Sequence, residues 1–415
     1  MERQYKDSGV AWAEQIPSNW KVIRGKNLLK LMNRPVRETD DVVTCFRDGE
    51  VILRSERRTE GFTMSDKEIG YQGINKGDIV IHGMDGFAGS MGVSKSTGKG
   101  SPVLVVCNPK ENDDSRYIVY YLRTLAMNNV FVALATGIRE RSCDLRWNKI
   151  SDLPFIRPDA DEQKRIADFI DAKIEEIDAL ITLQDQMITK LTDYKQSVIT
   201  ETVTKGLNPD AQLVPSGIDW IGDIPKGWTI CKLKNMFTLL NGRAYLEPEL
   251  LDAGKYRILR VGNLFSSDKW YYSDMELEEN KYCEAGDLLY GWSASIGPYI
   301  WKDEKVIYHY HIWKVLFGKN DLNYSFYLLQ ALTMAKQRDM HGSAMQHLTK
   351  VNMDNSKIVM PPLAEQKTIA SVLDTKCGEI DRLIETKRQK IETLKEYKKS
   401  VIYEAVTGKT DLRDS

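Results

Sequence analysis

Arginine, lysine, asparagine and glutamine recur in short clusters beside glycine or aromatic residues. Arg139 and Arg141 stand close to Arg146-Trp147-Asn148-Lys149, and Lys95 lies earlier. Asn241-Gly242-Arg243-Ala244-Tyr245, Arg260-Val261-Gly262-Asn263 and a stretch ending in Gln346 and His347 come later. Arginine grips guanine with two hydrogen bonds, asparagine or glutamine does the same to adenine, and lysine meets phosphate. These residue types therefore suit the reading of base edges, although each cluster taken singly is equally a solvated surface.

Catalytic chemistry finds less to use. MDGFAGSMG, from Met84 to Gly92, has the glycine density of a loop that cradles S-adenosylmethionine, since glycine lets backbone approach a ligand closely. No Asn/Asp-Pro-Pro-aromatic tetrapeptide accompanies it, and the later stretch GWSASIGPY lacks the pattern. A turn in a loop facing nucleic acid is the better reading. His309 and His311 fall two apart on an expected strand, and a core or DNA-contact role is the better reading for both than shared metal ligation. Glu111, Asp113 and Asp114 read as a solvated acidic loop. No nucleophile with a base, no Walker loop and no HExxH occurs, and six dispersed cysteines show no zinc spacing. The expectation is a chain with no catalytic, cofactor or metal site of its own.

The elements that must position these residues come from length and repetition. A chain of 415 residues is too long for one core and implies two or three domains. With 42% hydrophobic and 28% charged residues it should fold. No apolar run is long enough for a membrane span and MERQYKDSGV has no apolar signal core, so a cytoplasmic protein is expected. A net charge of −1 neither favours nor excludes nucleic acid; any basic face must be local.

The chain repeats itself. Ser8, Gly9, Trp12, Ile16, Pro17 and Trp20 recur as Ser216, Gly217, Trp220, Ile224, Pro225 and Trp228. Glu162-Gln163, Asp171, Glu176-Ile177-Asp178, Tyr194, Ser197-Val198-Ile199 and Glu201 recur as Glu365-Gln366, Asp374, Glu379-Ile380-Asp381, Tyr397, Ser400-Val401-Ile402 and Glu404. This is a tandem duplication with a kept frame around a diverged interior. Two reading heads built alike but aimed at different targets explain that contrast better than free drift does.

The frame includes two helices, Glu162 to Val203 and Glu365 to Val406, with seven-residue apolar periodicity and a glycine just beyond each end. Ile174, Ile181, Ile188, Ile384 and Ile391 widen the apolar stripe beyond a two-stranded seam and offer surface to partner helices. The stretches before each helix read as mixed α/β, each closing in a strand before proline, at Leu153-Pro154 and Met360-Pro361.

Frame and interior together resemble a specificity subunit of a type I restriction-modification system, over essentially the whole chain. The carriers are the SGxxWxxxIPxxW openings at Ser8 and Ser216, and the paired helical ends with EID and YKxSVIxExVT. PLAEQ opens the second helix, where the first has PDADEQ. GDIVIHGMDGFAGSMGVSK and LNGRAY add to the likeness. The resemblance implies an α+β fold with two similar α/β target recognition domains, related by pseudo-two-fold symmetry and joined by two long antiparallel coiled-coil helices. The domains would be 1–158 and 207–361, the helical spacers 159–206 and 362–408, and the tail 409–415. It implies binding to a bipartite, asymmetric double-stranded DNA site, and docking of two modification (adenine methyltransferase) subunits and of restriction (translocase and nuclease) subunits. S-adenosylmethionine, ATP and magnesium would belong to those partners. A methyltransferase using Asp85 to Gly89, or a coiled-coil organiser without DNA specificity, are the competing classes.

Overall fold

The computed structural model describes residues 3–57, 69–133, 145–339 and 348–413. It divides into two compact units, Met1–Gln184 with Gln389–Ser415, and Asp185–Arg388. Each unit therefore holds one interior, the start of the long helix that follows it and the end of the other long helix.

The first unit opens with a hairpin, Tyr5–Asp7 against Gln15–Pro17. Lys21–Arg24 then pairs with Pro154–Arg157, so the interior enters and leaves through one antiparallel pair. Between them, Leu29–Leu31, Leu104–Pro109, Ile79–His82 and Met91–Val93 form a four-stranded antiparallel sheet in that order. Helix Ser115–Met127 buries Tyr117, Tyr121, Leu122 and Leu125 in the same core.

The second unit repeats that plan. Leu213–Pro215 pairs with Asp223–Pro225, and Thr229–Lys232 with Lys357–Met360. Thr238–Asn241, Ile312–Leu316, Leu288–Ser293 and Ser295–Ile300 make the matching sheet, followed by helix Leu322–Asp339. The interiors differ beyond it. The second unit adds a four-stranded sheet, Tyr271–Ser273, Tyr256–Leu259, Val306–Tyr308 and Tyr282–Cys283, with one parallel pairing. The first has two small strand pairs instead, Val43–Cys45 with Val51–Leu53 and Gln72–Ile74 with Gly98–Gly100.

The kept residues are the ones that weld helix to interior. Trp20 donates its indole N–H to Glu162 at 2.8 Å, and Trp228 donates to Glu365 at 3.0 Å. Tyr120 and Tyr327 donate to Asp171 and Asp374. Gln163 and Gln366 each accept from the backbone N–H at the start of a helix, that of Asp114 or Asp321, and donate to the carbonyl of Pro158 or Pro361. Buried polar groups must be paired, and this need holds each partner in the frame while exposed interior positions drift.

The long helices span Ala160–Lys205 and Leu363–Val406. Asp159 caps the first by accepting from the Glu162 N–H at 2.8 Å, and Gly206 and Gly408 follow the ends in left-handed conformation, φ +74° each. In the first unit Ile166, Ala167 and Ile170 share the core with Ile402, Ala405 and Val406. In the second, Ile199 and Val203 meet Ile369, Ala370 and Leu373. Starts meet ends, so within each unit the helices run antiparallel. Among the described residues no helix is long and apolar enough to cross a membrane.

Two local expectations need correcting. The strand closing the first interior begins at Pro154 rather than ending before it; a first strand residue needs no N–H, and the proline matching Pro361 is Pro158. The acidic stretch is solvated only in part, with Glu111 exposed and Asp113 buried. Arg157 binds both, and Asp113, 8% exposed, also accepts from Gln163.

Candidate nucleic-acid interface

At one end of the second unit the chain turns from Val306–Tyr308 into Ile312–Leu316 through His309, Tyr310 and His311. Two other segments hang on this turn. Arg243 N–H donates to the Tyr308 carbonyl at 3.0 Å and Tyr310 N–H to the Arg243 carbonyl at 2.9 Å. His309 N–H donates to the Leu259 carbonyl at 2.9 Å, which brings the Arg260–Asn263 segment alongside. The structure thus gathers Arg243, Tyr245, Arg260 and Asn263, which are separate clusters in sequence. His309 and His311 do not lie on a strand as expected: both are in the turn, half-buried, with rings 4.8 Å apart.

The side chains in this cluster have different freedom. Arg243 is locked into a two-pronged ion pair with Glu249, at 2.7 and 2.9 Å, and lies over the Tyr245 ring. Its hydrogen bonds, with that of the Leu246 N–H, hold the Glu249 carboxyl below the usual range. Tyr245 stacks against His309, and its hydroxyl is buried without a hydrogen-bond partner among the described residues. Burial pushes its pKa up. Asn263 uses its amide on the backbone, accepting from the Arg260 N–H and donating to the Ser267 and Lys269 carbonyls. An asparagine so engaged shapes a loop. Asn241 is exposed, and its carbonyl accepts from Lys281.

Arg260 and Lys269 are exposed and lie over the Tyr271 ring, 5.3 and 5.0 Å from its centre. They line a recess of about 290 Å³ with Ser267, Ser293, His309 and His311. Burial, His311 and Arg260 together depress His309 to a pKa of about 4, so it is neutral near pH 7. Lys269 and Tyr271 escaped the sequence reading; the interleaving of lysine with aromatics in Asp268-Lys269-Trp270-Tyr271-Tyr272 was the available signal.

In the first unit Lys95 is exposed and bonds Glu50 at 3.0 Å. Arg139, Arg141, Gln346 and His347 lie outside the described residues. The glycine-rich Met84–Gly92 loop packs on the protein itself. A Cβ at Gly92 would meet the Gly49 carbonyl at 2.0 Å, and one at Gly86 the Leu145 side chain at 2.6 Å. Its glycines admit neighbouring chain, which does not fit a cofactor cradle. Among the described residues no group of three or more histidine, cysteine or acidic side chains is placed to hold a metal.

Of the helical positions, Ile384 and Ile391 are buried and Ile174, Ile181 and Ile188 half-buried, which places them on covered or partly covered faces. The large apolar side chains left exposed on the long helices are Leu180, Leu183, Met187, Tyr194, Leu363, Leu383 and Tyr397.

The chain is thus a duplicated α/β frame around divergent interiors, with paired long helices and a cation-aromatic recess in the second unit, and known proteins share features of it. Residues 225–396 match the family model described as the type I restriction modification DNA specificity domain. The type I restriction enzyme MjaVIII specificity subunit of Methanocaldococcus jannaschii is 24% identical over 96% of this chain and 95% of its own length. The EcoBI specificity subunit of Escherichia coli is 22% identical over 49% of this chain and 44% of its own. In fold, a chain from a study of assembly and conformational transition of the type I R-M system matches with a TM-score of 0.72 at 14% identity, covering 95% and 99% of the two chains. The HsdS subunit from Thermoanaerobacter tengcongensis matches at 0.51 and 16% identity, covering 95% and 98%. The chain is similar to the specificity subunits of type I restriction-modification systems, as its motifs led us to expect.

Proposed function

We propose that this chain supplies DNA sequence specificity to a type I restriction-modification complex. Each unit reads one part of a bipartite, asymmetric double-stranded DNA site with its own interior. The long helices dock two modification subunits and, in the full complex, restriction subunits. Catalysis, together with S-adenosylmethionine, ATP and magnesium, resides on those partners, and the complex works in the cytoplasm.

The observation that carries this reading is the contrast between frame and interior. The same tryptophan-glutamate, tyrosine-aspartate and glutamine-backbone bonds recur in both units, whereas the strands around the sheets do not. A scaffold common to both units with unlike surfaces is what two half-sites of different sequence require.

Exchange of one interior tests it. The residues between Arg24 and Pro154 are replaced with those of a relative, the chain is co-expressed with its modification subunit, and the methylated motif is read by long-read sequencing. One half of the motif should change while the other persists. Change in both halves would refute the assignment of one half-site to each unit.

A further inference from the structure

We propose that the recess bounded by Arg260, Lys269 and Tyr271 is a phosphate site, which seats a backbone phosphate of the DNA and fixes the second unit on the duplex without reading a base. The proposal rests on the DNA-binding reading above and names the contact that this recess makes.

The chemistry of the lining points to an oxyanion. Arg260 and Lys269 converge on one tyrosine ring, and among the described residues no carboxylate lines the recess. Arg243 and Arg257 in the same unit are committed to Glu249 and to Asp303 and Glu304. Arg260 makes no ion pair among the described residues. Two cations brought together without a counter-charge repel each other, and an anion between them removes that cost.

The recess is also built in advance. Asn263 ties the Arg260 N–H to the Ser267 and Lys269 carbonyls, and the Ser266 and Ser267 N–H groups both donate to the Gly262 carbonyl at 2.8 Å. Both cations therefore hang from one cross-braced loop, and little ordering remains to be done on binding. His309, neutral near pH 7, and Ser293 also line the recess and add hydrogen-bonding groups without negative charge. An adenine edge would need an acceptor as well as a donor placed at fixed distances. The asparagine that might have supplied them is engaged with backbone.

The test measures binding of the full-length chain to a duplex carrying its methylated motif and to a random duplex, across salt concentrations. For Arg260→Ala and for Lys269→Ala, affinity should fall by the same factor on both duplexes. The slope of log affinity against log salt should shrink by about 1 for each change. Arg260→Lys should keep the slope, because a point charge suffices for phosphate. Replacing chloride with inorganic phosphate at constant ionic strength separates the sources. Stronger displacement from the wild type than from Arg260→Ala means the site also takes free phosphate; equal displacement assigns it to the duplex backbone. A loss confined to one base pair of the motif, or an unchanged salt slope, overturns the proposal. Equal wild-type affinity for both duplexes would instead sink the specificity reading and leave the phosphate site to be judged by the slope.

Discussion

Glu162 shows how much one residue of the frame carries. It is 2% exposed, accepts the Trp20 indole N–H and pairs with Arg3, itself stacked on Trp20 at 5.1 Å. Glu365, its image, is half-buried and holds the Trp228 N–H without an arginine. Removing one partner of a buried ion pair costs about 3–5 kcal/mol, and removing a hydrogen-bond acceptor about 1–3 kcal/mol. Glu162→Ala should therefore lower the urea midpoint more than Glu365→Ala; equal shifts would show that the Arg3 pairing adds nothing. His309 makes a prediction with a sign. Its folded pKa of about 4 lies below the unfolded 6.5. The unfolded state thus takes up a proton that the folded state refuses, and stability is lost as pH falls from 6.5 towards 4. His309→Gln should flatten the fall in melting temperature between pH 7 and pH 5, and an unchanged slope would mean that His309 is free to protonate. The kept Trp, Glu, Gln and Tyr positions were legible because the repeat marks them. Asn263 was not: its type suggests adenine, but three backbone partners, two of them in a loop four to six residues on, decide its role.

At the scale of elements, periodicity and end glycines place both long helices to within a few residues, since these signals are local. Which face is covered depends on what packs there, which a local pattern does not show: Leu180, Met187 and Leu383 are exposed, whereas Ile384 and Ile391 are buried. The helix ends differ in another way that follows from the repeat. Tyr403 in the second helix donates to the Trp12 carbonyl and has Lys409 over its ring. The matching residue in the first helix is Thr200, and beside it a groove of about 470 Å³ runs between the helix end, Trp220 and Ile221. Tyr403→Thr should destabilise its unit by about 1–3 kcal/mol through lost packing and a lost hydrogen bond. Thr200→Tyr should cost nothing or stabilise, because the space exists. Thermal unfolding of both variants decides it, and a costly Thr200→Tyr would show that the two helix ends are not equivalent in shape.

For the whole molecule the repeat made the plan of the fold readable, while the strands without an image in the other unit carry no such mark. Strand pairing across distant segments, such as Tyr256–Leu259 beside Val306–Tyr308, leaves no local signal. The ion pairs between the long helices show what sets their register. Asp178 meets Lys398 at 2.8 Å in one unit, and Lys195 meets Asp381 at 2.7 Å in the other; each pair is the image of its fellow in the repeat. The first helix passes from one unit to the next after Gln184, and the second passes back after Arg388. Two helical links therefore join the units, and lengthening only one leaves them unequal by about 6 Å for four added residues. A four-residue insertion after Gln184 alone should lower the unfolding midpoint, because one link must buckle or the ion pairs must slip. The same insertion after Gln184 and after Arg388 together should recover stability. If the helices set the distance between half-sites, that double insertion should also widen the unread gap in the methylated motif by about one to two base pairs, at 3.4 Å each, with both halves of the motif unchanged. A stable, methylating double-insertion variant that keeps the original gap would show that the helices do not measure the spacing.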